Sequence, residues 1–433
     1  MVECFLGNLR LDNERLTTAK YLYKEKEMLD KKCPLISSTL IFLFSATLLV
    51  TGKSYSYIAM LFCIISLFAL PITLKNKIPS DFYKIGWALN GYFFITALSL
   101  AWNGGKLNNL DMPSRTLLIL PIFIFLLSYP PKKEWVFRGI LIGSVASGLI
   151  ALFHQQILHI RPFTDFGYMV IQTGDMAMSL GVFSLIISIN YFKNKSSLLA
   201  FAALTSSFLG ILASLISGAR GGWVITPFVL LWLLIKNRDL ISKKVVISII
   251  FVAIAISSLS YHVVESRVDK VFNELTQLTE KNNANTSSGT RVELWKSGLY
   301  AFASKPIFGV GYQDRQSFKK KLVANNQVDK IVLSFSRLHN SFIEELSIKG
   351  IIGFTALMIF FLIPFYLFLA RGNIKNNVFS QLGVAHIILV MGYCLTQNYI
   401  NHHSGMLQYL MFVIIFYAML HNEKEQLAII KNN

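Results

Sequence analysis

The chain has 433 residues, 54% hydrophobic and only 15% charged, with a mean hydropathy of +0.52. A soluble protein would carry about 25% charged residues, so a soluble globular fold is excluded. The formal charge is +18, from 41 Lys and Arg against 23 Asp and Glu; in a soluble chain that excess would suggest nucleic acid, but here cytoplasmic loop charge explains it first, and a basic surface facing phosphate-bearing lipids second.

Residues 1–33 are rich in both Lys and Glu, unlike a cleavable signal peptide, and are expected to form a cytosolic arm. From there on, apolar stretches of roughly 17–25 residues recur, the length that crosses a bilayer as a helix. They are expected at 34–50, 55–74, 82–102, 114–130, 135–155, 168–192, 197–217, 222–235, 245–261, 350–370, 381–399 and 405–420, about twelve spans in an all-α polytopic membrane protein. No internal repeat is visible. Cys4, Cys33, Cys63 and Cys394 include no close pair, so neither a disulfide framework nor a metal site is read from them.

Loop charge orients the spans. Lys75, Lys77 and Lys84 follow the second span, Lys132, Lys133 and Arg138 the fourth, Lys193 and Lys195 the sixth, Lys236, Arg238, Lys243 and Lys244 the eighth, and Arg371 and Lys375 the tenth. Short loops after odd spans hold fewer: Lys53, then Lys106 with Arg115, then Arg161, then Arg220, and none in "NHHSG". This alternation predicts both termini in the cytoplasm. The expected layout is an arm (1–33), nine spans (34–261), a long loop on the outer side (262–349), three spans (350–420) and a cytosolic tail (421–433).

Against that layout a few polar residues are out of place. Asp175 lies inside an apolar span, in "QTGDMAMS"; it is either a functional acid, the default for a charge at that depth, or a structural partner of an arginine. Arg220 lies in the outer turn "SGARGGW". Either it snorkels to headgroups or it is a fixed cation at a cavity mouth; the glycines on both sides favour the second, because they let a backbone or ligand approach closely. In the long loop a helix is expected from Thr290 to Pro306, with Val292, Trp295, Leu299 and Phe302 as its apolar stripe and Arg291 in its first turn. A cation there opposes the helix dipole, and an anionic ligand would offset the cost.

The loop ends in "RLHNSFIEELSIKGIIGF", residues 337–354. Ser341 and Glu344 form a capping box, so a helix is expected to start at Ser341 with His339 just before it. The positive helix end disfavours imidazolium and keeps the ring able to accept a proton. Glu344 and Glu345 are read as capping and solvation. Lys319, Lys320 and Lys321 are read either as a solvated run or as a contact for lipid phosphates.

Arg291, Trp295, Pro306, Gly309, Gly311, His339, Asn340, Gly350 and Gly353, with "SGARGG" upstream, resemble the O-antigen ligase and O-antigen polymerase superfamily. The resemblance implies an inverting, metal-independent glycosyltransferase without cofactor on the outer face of the bacterial inner membrane. Its donor would be a glycan on undecaprenyl diphosphate; its acceptor would be lipid A–core oligosaccharide in the ligase branch, or a second lipid-linked glycan in the polymerase branch. A lipid-glycan flippase is the alternative from another class. The implied roles are His339 as general base, Arg220 and Arg291 on the diphosphate with Arg115 as a third cation, and Asn340, Gly350 and Asp175 in support. Family members can carry an acid at the outer end of the eleventh span, where this chain has Gln397 and Asn398.

Overall fold

The computed structural model describes residues 32–164, 169–238, 284–372 and 377–432, with isolated positions between 254 and 277. Every regular element among them is a helix. A short apolar helix, α1 (Lys32–Ala46), leads in. Then come α2 (Ser54–Thr73), α3 (Ser80–Asn103), α4 (Arg115–Ser128), α5 (Lys133–Gln156), α6 (Val170–Lys193), α7 (Ser197–Ser217) and α8 (Arg220–Lys236). Two loop helices follow, α9 (Ser287–Ser304) and α10 (Gly311–Ala324), and then α11 (Ser341–Arg371), α12 (Val378–Thr396) and α13 (His403–Asn432).

Among the described residues nine helices, α2 to α7 and α11 to α13, are long and apolar enough to cross a membrane, α4 together with the turns that lead into it (Leu107–Ser128). This falls short of twelve. The helices α1 and α8 occupy two expected positions but are shorter, and the span expected at 245–261 lies outside the described residues. The most apolar stretches are 89% buried in α13 and 83% buried in α6 and α12, against 28% in α2. The first three are therefore central and α2 peripheral. Small residues bring neighbours close, as membrane helices require: a Cβ on Gly181 of α6 would lie 2.7 Å from the Ile211 nitrogen of α7. At one end of the bundle Asp81 accepts from Arg371 (2.6 and 2.9 Å), Lys84 (3.0 Å) and Tyr417 (2.8 Å), tying α3, α11 and α13 together. The loop helices and the starts of α4, α6, α8, α11 and α13 gather at the other end.

The loop has its own core of Leu294, Leu322, Val328, Val332 and Leu338. The apolar stripe expected on α9 is not what packs: Val292 and Leu299 are 38% and 50% exposed, while Leu294, Ser297, Gly298 and Ala301 face inward. Small residues win because the partner side chains come so near; a Cβ on Gly298 would sit 2.5 Å from Leu338 Cδ1 and 2.7 Å from Ile343 Cγ2. The helix also starts earlier than expected, capped by Thr286, so Arg291 lies in its second turn.

The sequence places a span boundary at Gly350. Instead α11 runs through it with a break, Gly350 standing at φ 63°, ψ −157°. A break frees backbone groups that hydrocarbon cannot satisfy. The glycine turn after α9 takes them up: Ile351 N–H donates to Pro306 O (2.8 Å), and Val310 N–H donates to Ser347 O (2.9 Å). A Cβ on Gly350 would fall 2.3 Å from Ile307 O. Gly350→Ala is therefore expected to lower stability by about 1–3 kcal/mol from the backbone conformation alone, and further from the clash. Thermal unfolding in detergent reads this, with Gly91→Ala, whose Cβ meets nothing within 4 Å, as the silent control. Equal melting of the two variants would show the clamp to be unimportant.

Candidate active site

His339, two residues before α11, is held by its neighbours on both sides and by contacts with Phe335 and Gln397. Leu338 is buried in the loop core, and its N–H donates to Glu344 Oε2 (2.8 Å). Asn340 caps α11, its Oδ1 accepting from Phe342 N and Ile343 N (3.0 and 3.1 Å). Between them His339 has φ 54°, a left-handed conformation that costs a non-glycine residue about 1 kcal/mol or more. Its ring meets Phe335 edge-on, and its Nδ1 lies 2.6 Å from Gln397 Oε1 at the end of α12. An amide oxygen only accepts, so Nδ1 carries the hydrogen and Nε2 keeps the lone pair. The ring is thus oriented by Gln397. Asn340, expected in support of the base, caps the helix; Ser341, expected as the cap, donates to Gln397 O (3.2 Å).

Beside this group lies a cavity of about 120 Å³ lined by Arg161, Arg220, Arg291, Ser287 and Thr396. Each arginine arrives by a different route. Gly218, left-handed, ends α7 and lets α8 begin at Arg220. The Arg161 Nε donates to Ser217 O (2.7 Å), the favoured place for a cation at a helix C-terminus. Arg291 projects from α9, whose start is tied down by Glu274 accepting from Ser288 N and Oγ (2.9 and 2.6 Å). Burial, and then the neighbouring Arg220 charge, pull the Arg291 guanidinium below its ordinary range, while Glu274 and Asp175 pull it back. An anion in the cavity would relieve that repulsion. Thr396 lines the cavity, and Gln397, the next residue, holds His339. Adjacent Cα atoms are about 3.8 Å apart, so the residue that holds His339 directly adjoins one that lines the arginine cavity.

Asp175 sits beneath this site rather than in it. Its Oδ1 accepts from Gly222 N (2.9 Å) at the start of α8, where the helix dipole favours a carboxylate. A Cβ on Gly221 would lie 3.0 Å from that oxygen, so the glycines of "SGARGGW" admit a carboxylate from α6. Arg115 is not brought to the other arginines. It bonds Asp111 O (2.5 Å) and Ser114 Oγ (3.1 Å) at the start of α4 and does not line the cavity.

Three further readings are corrected by burial. Glu344 and Glu345 are 2% and 1% exposed, not solvated. Glu344 pairs with Arg315 (2.7 Å), and Glu345 with Lys349 (2.5 Å) and Tyr92 (2.9 Å). Lys319 is 3% exposed, so of the basic run only Lys320 and Lys321 face outward. Its ammonium donates to Phe335 O (2.9 Å), and burial pushes it down to about 8. Sequence reasoning missed Thr396 and Arg161, and noted Gln397 only as standing where family members can carry an acid. Arg161 carried the same signal as Arg220, a lone cation in a short outer loop, but was used only for topology.

Gln397 gives a direct test. Gln397→Leu removes the acceptor for Nδ1–H and frees the ring, with an expected loss of about 10²-fold in turnover. Gln397→Glu keeps the acceptor and adds a charge that favours imidazolium, so the acid limb of the rate–pH profile should move to higher pH. A purely structural glutamine would leave that limb in place.

A family model described as O-antigen ligase matches residues 205–358, which include Arg220, Arg291, His339 and Gly350. An O-antigen ligase of Escherichia coli K12 is 28% identical over 148 residues, 33% of this chain and 35% of that protein. Over these residues the chain is similar to the O-antigen ligase family. A Haemophilus influenzae Rd protein described as uncharacterized is 32% identical over 389 residues, covering 87% of this chain and 96% of that protein. The family match stops short of Arg161 on one side and Gln397 on the other; both join the site only through the fold.

Proposed function

We propose that the chain is an O-antigen ligase: it transfers a glycan from undecaprenyl diphosphate to lipid A–core oligosaccharide, with inversion, at the outer face of the bacterial inner membrane. The observation that carries this reading is the convergence of three arginines on one cavity, next to a histidine whose lone pair is left open. The acceptor hydroxyl gives its proton to His339 Nε2. Its oxygen attacks the anomeric carbon, and the bond from that carbon to the diphosphate oxygen breaks. The electron pair leaves with undecaprenyl diphosphate, whose growing charge is met by Arg220 and Arg291, with Arg161 beside them. No protein-bound intermediate forms, so the product anomer is opposite to the donor's. Asp175 keeps the turn that bears Arg220 in place.

The test is a reaction of the purified full-length chain with lipid-linked glycan and, separately, lipid A–core or a second lipid-linked glycan. Transfer to lipid A–core supports a ligase. Transfer only to the lipid-linked acceptor makes it a polymerase, and donor movement across vesicles without transfer makes it a flippase. The loop position has its own test. In a chain lacking its native cysteines, a cysteine at the exposed Lys320 should react with an impermeant maleimide in intact spheroplasts, and one at Lys75 should not. The reverse pattern would place the site in the cytoplasm and end the proposal.

A further inference from the structure

A second polar cavity lies close to His339 along the chain, lined by Arg337 two residues before it. It measures about 80 Å³ and is lined by Asn108 and Asn109 of the loop between α3 and α4, Tyr312 and Arg315 of α10, Arg337 and Asn401. One strip of chain connects the two cavities. Thr396 lines the arginine cavity, Gln397 holds His339, and Ile400 and Asn401 line the second cavity. Arg337 stands two residues before His339 and donates to Asn401 O (2.8 Å). The histidine and its partner are therefore joined by short stretches of chain to both chambers, as suits a base that serves a donor and an acceptor.

The lining of the second chamber differs from that of the first. Amide groups from three asparagines suit hydroxyls, and the face of Tyr312 suits the C–H side of a sugar ring. Its charges do not cancel. Arg315 is paired with Glu344 at 2.7 Å, whereas among the described residues no carboxylate pairs with Arg337. One guanidinium is left over. The neighbouring His402 feels it: burial first, and then the charge of Arg337, push its ring down to about 4, so it stays neutral and adds no second cation. Next to Gln397, Asn398 is 1% exposed and neither of its amide atoms has a partner, polar capacity that the protein itself leaves unused.

We propose that this chamber binds the acceptor, and that the acceptor is a glycan with an anionic substituent, phosphate or carboxylate, near the attacking hydroxyl, where Arg337 meets it. The inference rests on the transfer reaction proposed above. The anionic glycan belongs to lipid A–core if the chain is a ligase and to a second lipid-linked glycan if it is a polymerase, and each is run as its own arm.

The experiment measures acceptor and donor KM separately for the purified chain, with an acceptor that keeps its anionic groups and the same acceptor stripped of them. For the wild type, stripping should raise acceptor KM about tenfold, the scale of one charged hydrogen bond. Arg337→Gln should raise acceptor KM for the intact acceptor by a similar factor, and stripping should then add nothing, because two changes that remove one contact are not additive. Asn108→Trp, at the exposed rim, should raise acceptor KM by narrowing the chamber. Donor KM should stay within about twofold in all of these, as expected for separate sites. Independent, multiplying effects of Arg337→Gln and stripping would overturn the assignment while transfer itself still stands. So would a rise in donor KM that matches the rise in acceptor KM. Absence of transfer to either acceptor by the wild type would instead sink the reaction, and this chamber's role with it.

Discussion

Replacing His339 with alanine is expected to lower glycan transfer by roughly 10² to 10⁴-fold, the contribution of a positioned general base, with little change in folded yield. The fold has little stake in this ring. It is half-buried, and its contacts are the Gln397 amide and the edge of Phe335. Position is supplied by its neighbours: Leu338 is anchored by Glu344, and Asn340 caps α11. His339→Asn separates base from geometry. Asparagine tolerates the left-handed backbone better than most residues, so it keeps the turn, yet it cannot accept a proton. Both variants should bind donor as the wild type does and fail to turn it over. A transfer rate above about a tenth of wild type in either would exclude His339 as the base.

Local chemistry made part of this site legible and hid the rest. Arg220 and His339 each stand at a helix start flagged by its own neighbours, glycines in one case and a polar capping run in the other. Gln397 carries no such flag, since its contact reaches across 58 positions and is made only when α12 ends beside α11. Periodicity cannot report a pairing of that kind. The break at Gly350 was hidden for a related reason. Polar residues stop and an apolar run begins there, which reads as the start of a span; only the turn at 306–310, folded back onto it, reveals one interrupted helix. The pair Glu345 and Lys349 did have a local signal, the i,i+4 spacing of opposite charges. That spacing reads as surface solvation until burial is known, and here the pair is sealed inside against Tyr92 and Thr96. Apolar composition located α6, α12 and α13 as spans but not as the central ones, since α2 is more apolar than α6 and far less buried.

The arginines give the second large effect. If Arg220 and Arg291 grip a diphosphate, lysine should not replace them. Arginine presents a planar fork that matches two phosphate oxygens, whereas lysine presents a point charge. Arg→Lys at either position is expected to cost about tenfold to a hundredfold in transfer, and Arg→Ala about 10³-fold, the scale of losing one fixed donor to a leaving group. The loss should appear in donor KM and in turnover, and it should persist at saturating acceptor. The two positions should also couple. Arg291 already stands under repulsion from Arg220, so without ligand, removing one charge relieves the other. With diphosphate bound, both are needed. The double alanine variant should therefore bind undecaprenyl diphosphate more weakly than either single variant, while melting no lower than the sum of the two would suggest. An arginine that merely snorkels to the membrane surface predicts the opposite, because a lysine stem reaches the interface equally well. Near-wild-type donor kinetics in both lysine variants would remove Arg220 and Arg291 from the active site and leave the cavity without its ligand.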